Sequence, residues 1–348
     1  MNAPLKAVRE DQIVLPQPYL LFLGDITDKE FAKTAFGLAH WARDKCVGEF
    51  ALEKARVTAG LPTMTPTQAV EAGARAMLIG VANPGGVITW SWRDALVEAL
   101  EAGLDIVSGL HTKLDSIPSL KETAERCGRR LIDIRRPPAE IPIGTGRKRT
   151  GRRLLTVGTD CALGKKYTAL ALHEEFVRRD IDADFRATGQ TGIMIAGSGV
   201  PMDAVVSDFE SGAAEMLSPD ADPAHWDVIE GQGSLFNPSY AAVSLGLLHG
   251  SQPDVFVVCH DPTREYIIGL DGFHLPSLEE VIDLTIRMGR LTNPAIRCGG
   301  ISLNTSSLDA EEAERVMAQT SERLHGLPVA DPVRRGPAFK RLADTCLA

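Results

Sequence analysis

The chain has no Cys-x-x-Cys pair. Its six cysteines, Cys46, Cys127, Cys161, Cys259, Cys298 and Cys346, lie far apart. Neither a zinc site nor a disulfide framework is expected, and reduced thiols in a cytoplasm are the plain reading. No apolar run approaches the roughly 20 residues that span a bilayer, and the opening MNAPLKAVREDQIVLP has no apolar signal core. A cytoplasmic protein without a membrane partner is the expectation. Excess positive charge is also lacking: the net charge of -9 disfavours non-specific nucleic-acid binding. No repeat of about 20–50 residues is visible. What is present is ordinary globular composition, 44% hydrophobic and 24% charged over 348 residues, a length that suggests two domains.

Strand and helix signals alternate along both halves. In the first, residues 19–24, 76–81, 105–110 and 130–134 read as strands, and 28–43, 90–102 and 119–127 as helices. In the second, strands are expected at 154–157, 184–187, 226–230, 255–260 and 295–303, and helices at 165–179, 205–217, 277–288 and 310–324. This rhythm predicts parallel sheets covered on both faces. Between the halves, RPPAEIPIGTGRKRTGRR (136–153) has no period and reads as a basic linker. The boundaries expected are 1–135 for the first domain, 136–153 for the linker and 154–348 for the second domain. The cluster Arg147, Lys148, Arg149, Arg152 and Arg153 suits either a solvated tether or a clamp on an extra phosphate.

The stretch LLTVGTDCALGKKYTALAL (154–172) orders an apolar strand, a glycine-bounded loop, two lysines and a helix. That arrangement cradles a diphosphate, because loop and helix-start N–H groups point at the anion and the helix dipole adds positive potential. Gly158 and Gly164 let the backbone curl closely, and Lys165 adds a mobile charge. The usual motif is G-x-x-x-x-G-K-[ST], whose hydroxyl meets Mg²⁺. Here five residues, Thr159, Asp160, Cys161, Ala162 and Leu163, separate the glycines, and Lys166 stands where the hydroxyl belongs. Tyr167 and Thr168 carry the next hydroxyls, and Thr168 points elsewhere around the turn. The loop keeps its anion cradle without the usual magnesium ligand, so no metal site is expected.

Ligands of open parallel sheets bind beyond the carboxyl ends of the strands. Five strand ends here are polar or glycine-rich: 158–161, Thr188-Gly189-Gln190-Thr191, Glu230-Gly231-Gln232-Gly233-Ser234, His260-Asp261 and Asn304-Thr305. This clustering marks a site. Glu230 can hold a cation, accept a proton or cap a turn. Asp160 beside an anion needs a partner: a metal, a lysine or an incoming amine. Gln190 and Gln232 suit carboxylate or amide recognition. His260 is a second candidate base, or structural. Cys161 at a helix start is a weaker candidate nucleophile, since no base is placed beside it. Asn83, within the Gly80–Gly86 segment, lines the cleft or closes a plain turn.

The loop resembles that of dethiobiotin synthetase-like P-loop proteins, which share the Gly-Thr-Asp opening and five-residue spacing. The chain as a whole resembles a bacterial family, long of unknown function, that includes D-glutamate N-acetyltransferases. GVANPGG (80–86), VSGLH (107–111), GTDCALGKKYTAL (158–170), ATGQTGIMI (187–195), EGQGSL (230–235) and LGLLHGSQPD (245–254) carry that resemblance. It implies an α/β protein with an N-terminal Rossmann-like parallel-sheet domain and a C-terminal P-loop three-layer α/β/α domain. It further implies acetyl-CoA as donor and a D-amino acid, D-glutamate, as the small-molecule acceptor. The family often has His-Pro where this chain has Asn237-Pro238. Direct acetyl transfer would use Glu230 or His260 as base. Residues 158–159 and 161–168 would hold the coenzyme. Gly189, Gln190, Thr191, Gln232, Gly233 and Asn83 would meet the acceptor. Backbone N–H groups of Gly189–Gly192 or Gly231–Gly233 would face the developing oxyanion. Arg186 or Arg264 would meet the acceptor's second carboxylate. The alternative is an ATP–Mg-dependent ligase or kinase with Glu230 and Asp160 on the metal. A homo-oligomer is the default assembly.

Overall fold

The computed structural model describes residues 13–348, so most of the N-terminal segment read for a signal core lies outside the described residues. Two compact units are present. One contains residues 13–138 and 190–204; the other contains 139–189 and 205–348. Among the described residues no helix is long and apolar enough to cross a membrane.

The first unit holds a five-stranded parallel sheet, ordered Cys46–Ala51, Tyr19–Gly24, Ala76–Ile79, Asp105–Ser108 and Leu131–Asp133. Its central strands YLLFLG, AMLI and DIVS are buried at every residue. Runs of that kind suit strands covered on both faces. The helices Arg93–Ala102 and Pro118–Cys127 each stop at a left-handed glycine, Gly103 and Gly128. The Cys46–Ala51 edge strand escapes the sequence pattern because Glu49 interrupts it. Glu49 is nonetheless buried, its carboxylate accepting the Ala59 and Leu61 N–H groups at 2.8 and 3.3 Å. Helix Gln190–Ala196 also belongs to this unit. The Lys45 ammonium donates to the Ile195 and Ala196 carbonyls at that helix's carboxyl end, at 3.0 and 3.1 Å.

The second unit holds six parallel strands, ordered Val329–Ala330, Arg297–Leu303, Val255–His260, Arg152–Gly158, Trp226–Ile229 and Ala183–Arg186. The phosphate-loop strand therefore runs through the middle of the sheet. Helix Leu278–Gly289 starts at a capping box formed by Ser277 and Glu280. Helix Ala241–Ser251, AAVSLGLLHGS, is apolar all round, so no helical period betrays it in the sequence.

The basic stretch departs from both readings of it. Arg149 and Arg153 are buried inside the second unit. The Arg153 guanidinium donates to Ser218 Oγ (2.7 Å) and to the carbonyls of Thr150 (2.9 Å), Pro219 (3.0 Å), Arg149 (3.1 Å) and Gly151 (3.2 Å). Arg149 donates to the Ser218 and Gly250 carbonyls, both at 2.6 Å. Arg147 pairs with Asp220, and Lys148 with Asp254 at 2.8 Å. The physical reason is accounting of polar groups: carbonyls at buried chain ends need donors, and a guanidinium supplies five in a fixed fork. Burial and the neighbouring Arg153 charge push the Arg149 pKa down to about 10. Arg153→Met should lower folding stability by about 3 kcal/mol, since it strands buried acceptors and uncovers part of the charge on nearby Asp227. A urea midpoint equal to wild type would refute that role.

Candidate active site at the phosphate loop

The loop leaves the Arg152–Gly158 strand and is closed by helix Lys165–Arg178. Gly164 takes φ +99°, a conformation that side chains resist. Ala162, at the exposed tip, is also left-handed at φ 55°. The buried Lys165 ammonium reaches back to the Asp160 carbonyl at 2.6 Å, bracing the loop from within. Lys166 is half-buried, its ammonium 4.6 Å from the Tyr167 ring centroid. Burial pushes both ammonium pKa values down; at Lys166 the Glu230 charge opposes the shift. Thr168 does not present its hydroxyl to the loop. It is buried, bonding the Gly164 carbonyl (3.1 Å) and Ser302 Oγ (2.8 Å).

Glu230 follows the neighbouring Trp226–Ile229 strand. One carboxylate oxygen, Oε2, accepts the N–H groups of Thr188 and Gly189, each at 3.0 Å. Thr188 Oγ1 donates to the Glu230 carbonyl (2.8 Å) and accepts from Gln232 Nε2 (2.8 Å). The adjoining Gly231 is pinned to the central strand: its N–H donates to Thr156 Oγ1 at 2.9 Å, and a Cβ there would lie 1.6 Å from the Thr156 carbonyl oxygen. Burial raises the Glu230 pKa, against the pull of Lys166 and the two N–H groups. A carboxyl group so held, raised in pKa and near Lys166 and Lys165 of the loop, is equipped for proton transfer.

The other acid–base candidates are placed differently. Asp160 is fully buried and spends both oxygens: Oδ1 accepts from Asn237 Nδ2 (2.8 Å), and Oδ2 accepts from Ile268 N–H (2.8 Å) and Arg264 Nη1 (3.0 Å). It is a clasp, not a free base. Asn237 also accepts from the Ser239 and Tyr240 N–H groups, at 2.9 and 3.2 Å, ahead of helix Ala241–Ser251. The amide thus has a structural task at the position where the resembling family often has histidine. Sequence reasoning missed these partners; its one clue was the cost of a carboxylate inside an anion loop. His260 Nδ1 lies 3.0 Å from Thr159 Oγ1, and burial pushes its pKa down to about 4. It is neutral near pH 7 and a weak base. Burial pushes the Cys161 thiol up, so a thiolate nucleophile is disfavoured.

Several expected substrate contacts are engaged elsewhere. Arg186 pairs with Asp227 (2.5 Å) and Asp184 (3.1 Å), and Arg264 with Asp160. In the first unit, Asn83 bonds Val87 through both ends of its amide, at 2.9 and 3.0 Å, which closes a turn. The Gln190 amide meets the Gly109 carbonyl and the Arg135 guanidinium, and Thr191 Oγ1 meets Thr34 Oγ1 at 3.2 Å. Gly189 and Gly231, named as oxyanion donors, already donate to Glu230 and Thr156. A cavity adjoining Gly158, Gly231, Ser234, Leu247 and Thr285 measures about 20 Å³, which admits a water and no amino acid. Among the described residues, Asp184, His225 and Asp227 bring possible metal-ligand atoms within 4.8 Å of one another. Asp227 there already accepts from Arg186 and from Ser218 Oγ (2.6 Å), so a cation would compete with a guanidinium.

Residues 142–342 match the P-loop domain of DUF1611, a domain of unknown function, and residues 45–137 match its Rossmann-like N-terminal domain. A D-glutamate N-acetyltransferase of Tritonibacter scottomollicae is 48% identical over 335 residues, covering 96% of this chain and 100% of that protein. Another, from a Pseudoalteromonas species, is 49% identical over 319 residues, covering 92% and 96%. The crystal structure of a DUF1611 family protein from Anabaena variabilis superposes with a TM-score of 0.82 at 33% identity, covering 95% of this chain and 99% of that one. With matching domains in the matching order and near-complete relatives of one activity class, the chain belongs to the DUF1611 family and is an N-acetyltransferase.

Proposed function

We propose that the chain transfers the acetyl group of acetyl-CoA to the amine of D-glutamate, with coenzyme A held by its diphosphate at the phosphate loop. The names of the two relatives support the acceptor. The observation that carries the reading is the Glu230 carboxylate held by two N–H groups beside the lysine pair. The donor supplies an activated acyl group as a thioester. Lys165 and Lys166 meet the diphosphate charge as ammonium groups, so the loop has no need of the hydroxyl that serves magnesium in the common motif. Lys165 leaves the Asp160 carbonyl for the anion.

Glu230 Oε2 is occupied by its two donors, which leaves Oε1 to receive a proton from the acceptor amine. The uncharged nitrogen then forms the new C–N bond as the C–S bond breaks; the proton held on Glu230 passes to the departing sulfur, and the freed carboxylate takes the second proton that the nitrogen sheds on becoming an amide and releases it to solvent. A raised pKa favours this shuttle, because the carboxylate is a stronger base and its acid form persists nearer to neutrality.

Lys165→Ala should weaken acetyl-CoA binding at least about tenfold by isothermal titration; unchanged affinity would remove the loop from the mechanism. Glu230→Gln should lower kcat by about 10²–10⁴ with little change in KM. The rate of wild type should rise with pH through the raised Glu230 pKa, since the protonated acid cannot accept a proton, and this acidic limb should vanish in the variant. Its melting temperature should hold, because burial disfavours the charged form that the amide replaces; full activity at every pH would exclude Glu230 as base. Excess EDTA should leave acetyl transfer intact, whereas loss of activity restored by magnesium and ATP would favour a ligase or kinase.

A further inference from the structure

Beyond the strand Val255–His260 the chain forms a hairpin, residues 265–275, that neither the sequence reading nor the proposed chemistry uses. Ile267 N–H donates to the Phe273 carbonyl and Leu275 N–H to the Glu265 carbonyl, both at 2.9 Å. Ile267 is buried beneath it, yet Tyr266, Ile268 and Phe273 remain 44%, 55% and 50% exposed. Three large apolar side chains so close in sequence are an unusual concentration on a protein surface. Tyr266 stacks on His274, the ring centroids 4.4 Å apart and the planes 35° from parallel.

The hairpin is tied directly to the anion cradle. Ile268 N–H donates to the Asp160 carboxylate at 2.8 Å. Arg264, at the hairpin's base, donates to the same carboxylate (3.0 Å) and to the Cys161 carbonyl (2.9 Å). A diphosphate seated on residues 159–165 would therefore lie next to the foot of the hairpin, which Arg264 and the Ile268 N–H anchor. What emerges from such a diphosphate on one side is a nucleoside. A purine is flat and apolar on its faces, and stacking on an aromatic ring is how proteins take it up without reading its edges.

We propose that this hairpin is the purine platform of the donor site, with the adenine of coenzyme A lying on the Tyr266–His274 stack and the apolar tip residues Ile268 and Phe273 shielding it from water. The assignment rests on the reading that the donor's diphosphate occupies the loop. Asp160 is then a positioning residue: through Arg264 and Ile268 it fixes the distance between phosphate cradle and base platform.

The experiment compares two probes on the full chain, acetyl-CoA and inorganic pyrophosphate, by isothermal titration. Tyr266→Ala should weaken acetyl-CoA about tenfold and leave pyrophosphate binding unchanged, and Tyr266→Phe should restore wild-type affinity. Acetyl-CoA affinity unaltered in Tyr266→Ala, while Lys165→Ala loses it, would overturn the platform and spare the cradle. Equal loss of both probes in Tyr266→Ala would also overturn it, by showing that the hairpin only shapes the loop. A changed oligomeric mass with unchanged acetyl-CoA affinity would assign the face to a second copy of the chain. Wild-type protein that binds neither probe would refute the diphosphate reading and the platform with it.

Discussion

A carboxylate cut off from water must find donors inside the protein, and at Asp160 that demand organises the site of the second unit. Its donors come from two separate stretches of chain, Asn237 on one side and Arg264 with Ile268 on the other. Withdrawing one of them would leave part of a buried charge uncompensated, which typically costs several kcal/mol. The curvature of the phosphate loop, the chain entering helix Ala241–Ser251 and the foot of the 265–275 hairpin are therefore set together by one negative charge. An acid inside a phosphate loop looks adverse on paper, but the charge of Arg264 neutralises it locally.

Glu230 obeys the opposite logic a short distance along the sheet edge. Two N–H groups hold it, and its positive neighbours Lys166 and Lys165 are insufficient to offset its desolvation, so its pKa rises. The two acids thus differ in their partners: Asp160 meets an amide, a guanidinium and a backbone N–H, whereas Glu230 meets two backbone N–H groups through one oxygen. Gly231 and Thr156 keep the second acid from drifting, since the turn that carries it lies in direct contact with the central strand.

Much of the architecture was legible in advance because it is written in local pattern. The strand at 255–260 and the helix begun by Ser277 and Glu280 coincide with their expected places. The elements that were not legible lack a local signature. Edge strand Cys46–Ala51 holds a buried glutamate, and helix Ala241–Ser251 has no polar face. At the site, the glycine-bounded loop and Glu230 stood out because their chemistry follows from residue type and strand position. The fate of Asp160, Arg186 and the buried arginines Arg149 and Arg153 depends on partners remote in the chain. Spacing alone cannot show those, and a charge run that reads as linker is in part interior scaffolding.

The division of the chain into units has a covalent corollary. Gly189, whose N–H group steadies Glu230, is the last residue of one segment of the second unit; the next residue, Gln190, opens the return segment of the first. One scission at the 138/139 junction therefore cannot yield two intact bodies. The amino-terminal fragment would lack helix Gln190–Ala196, leaving Lys45 without its two carbonyl acceptors, and the carboxyl-terminal fragment would carry that helix as an orphaned loop. The molecule is thus interlaced along its backbone, and gene fragments cut at the apparent domain border are not its natural parts.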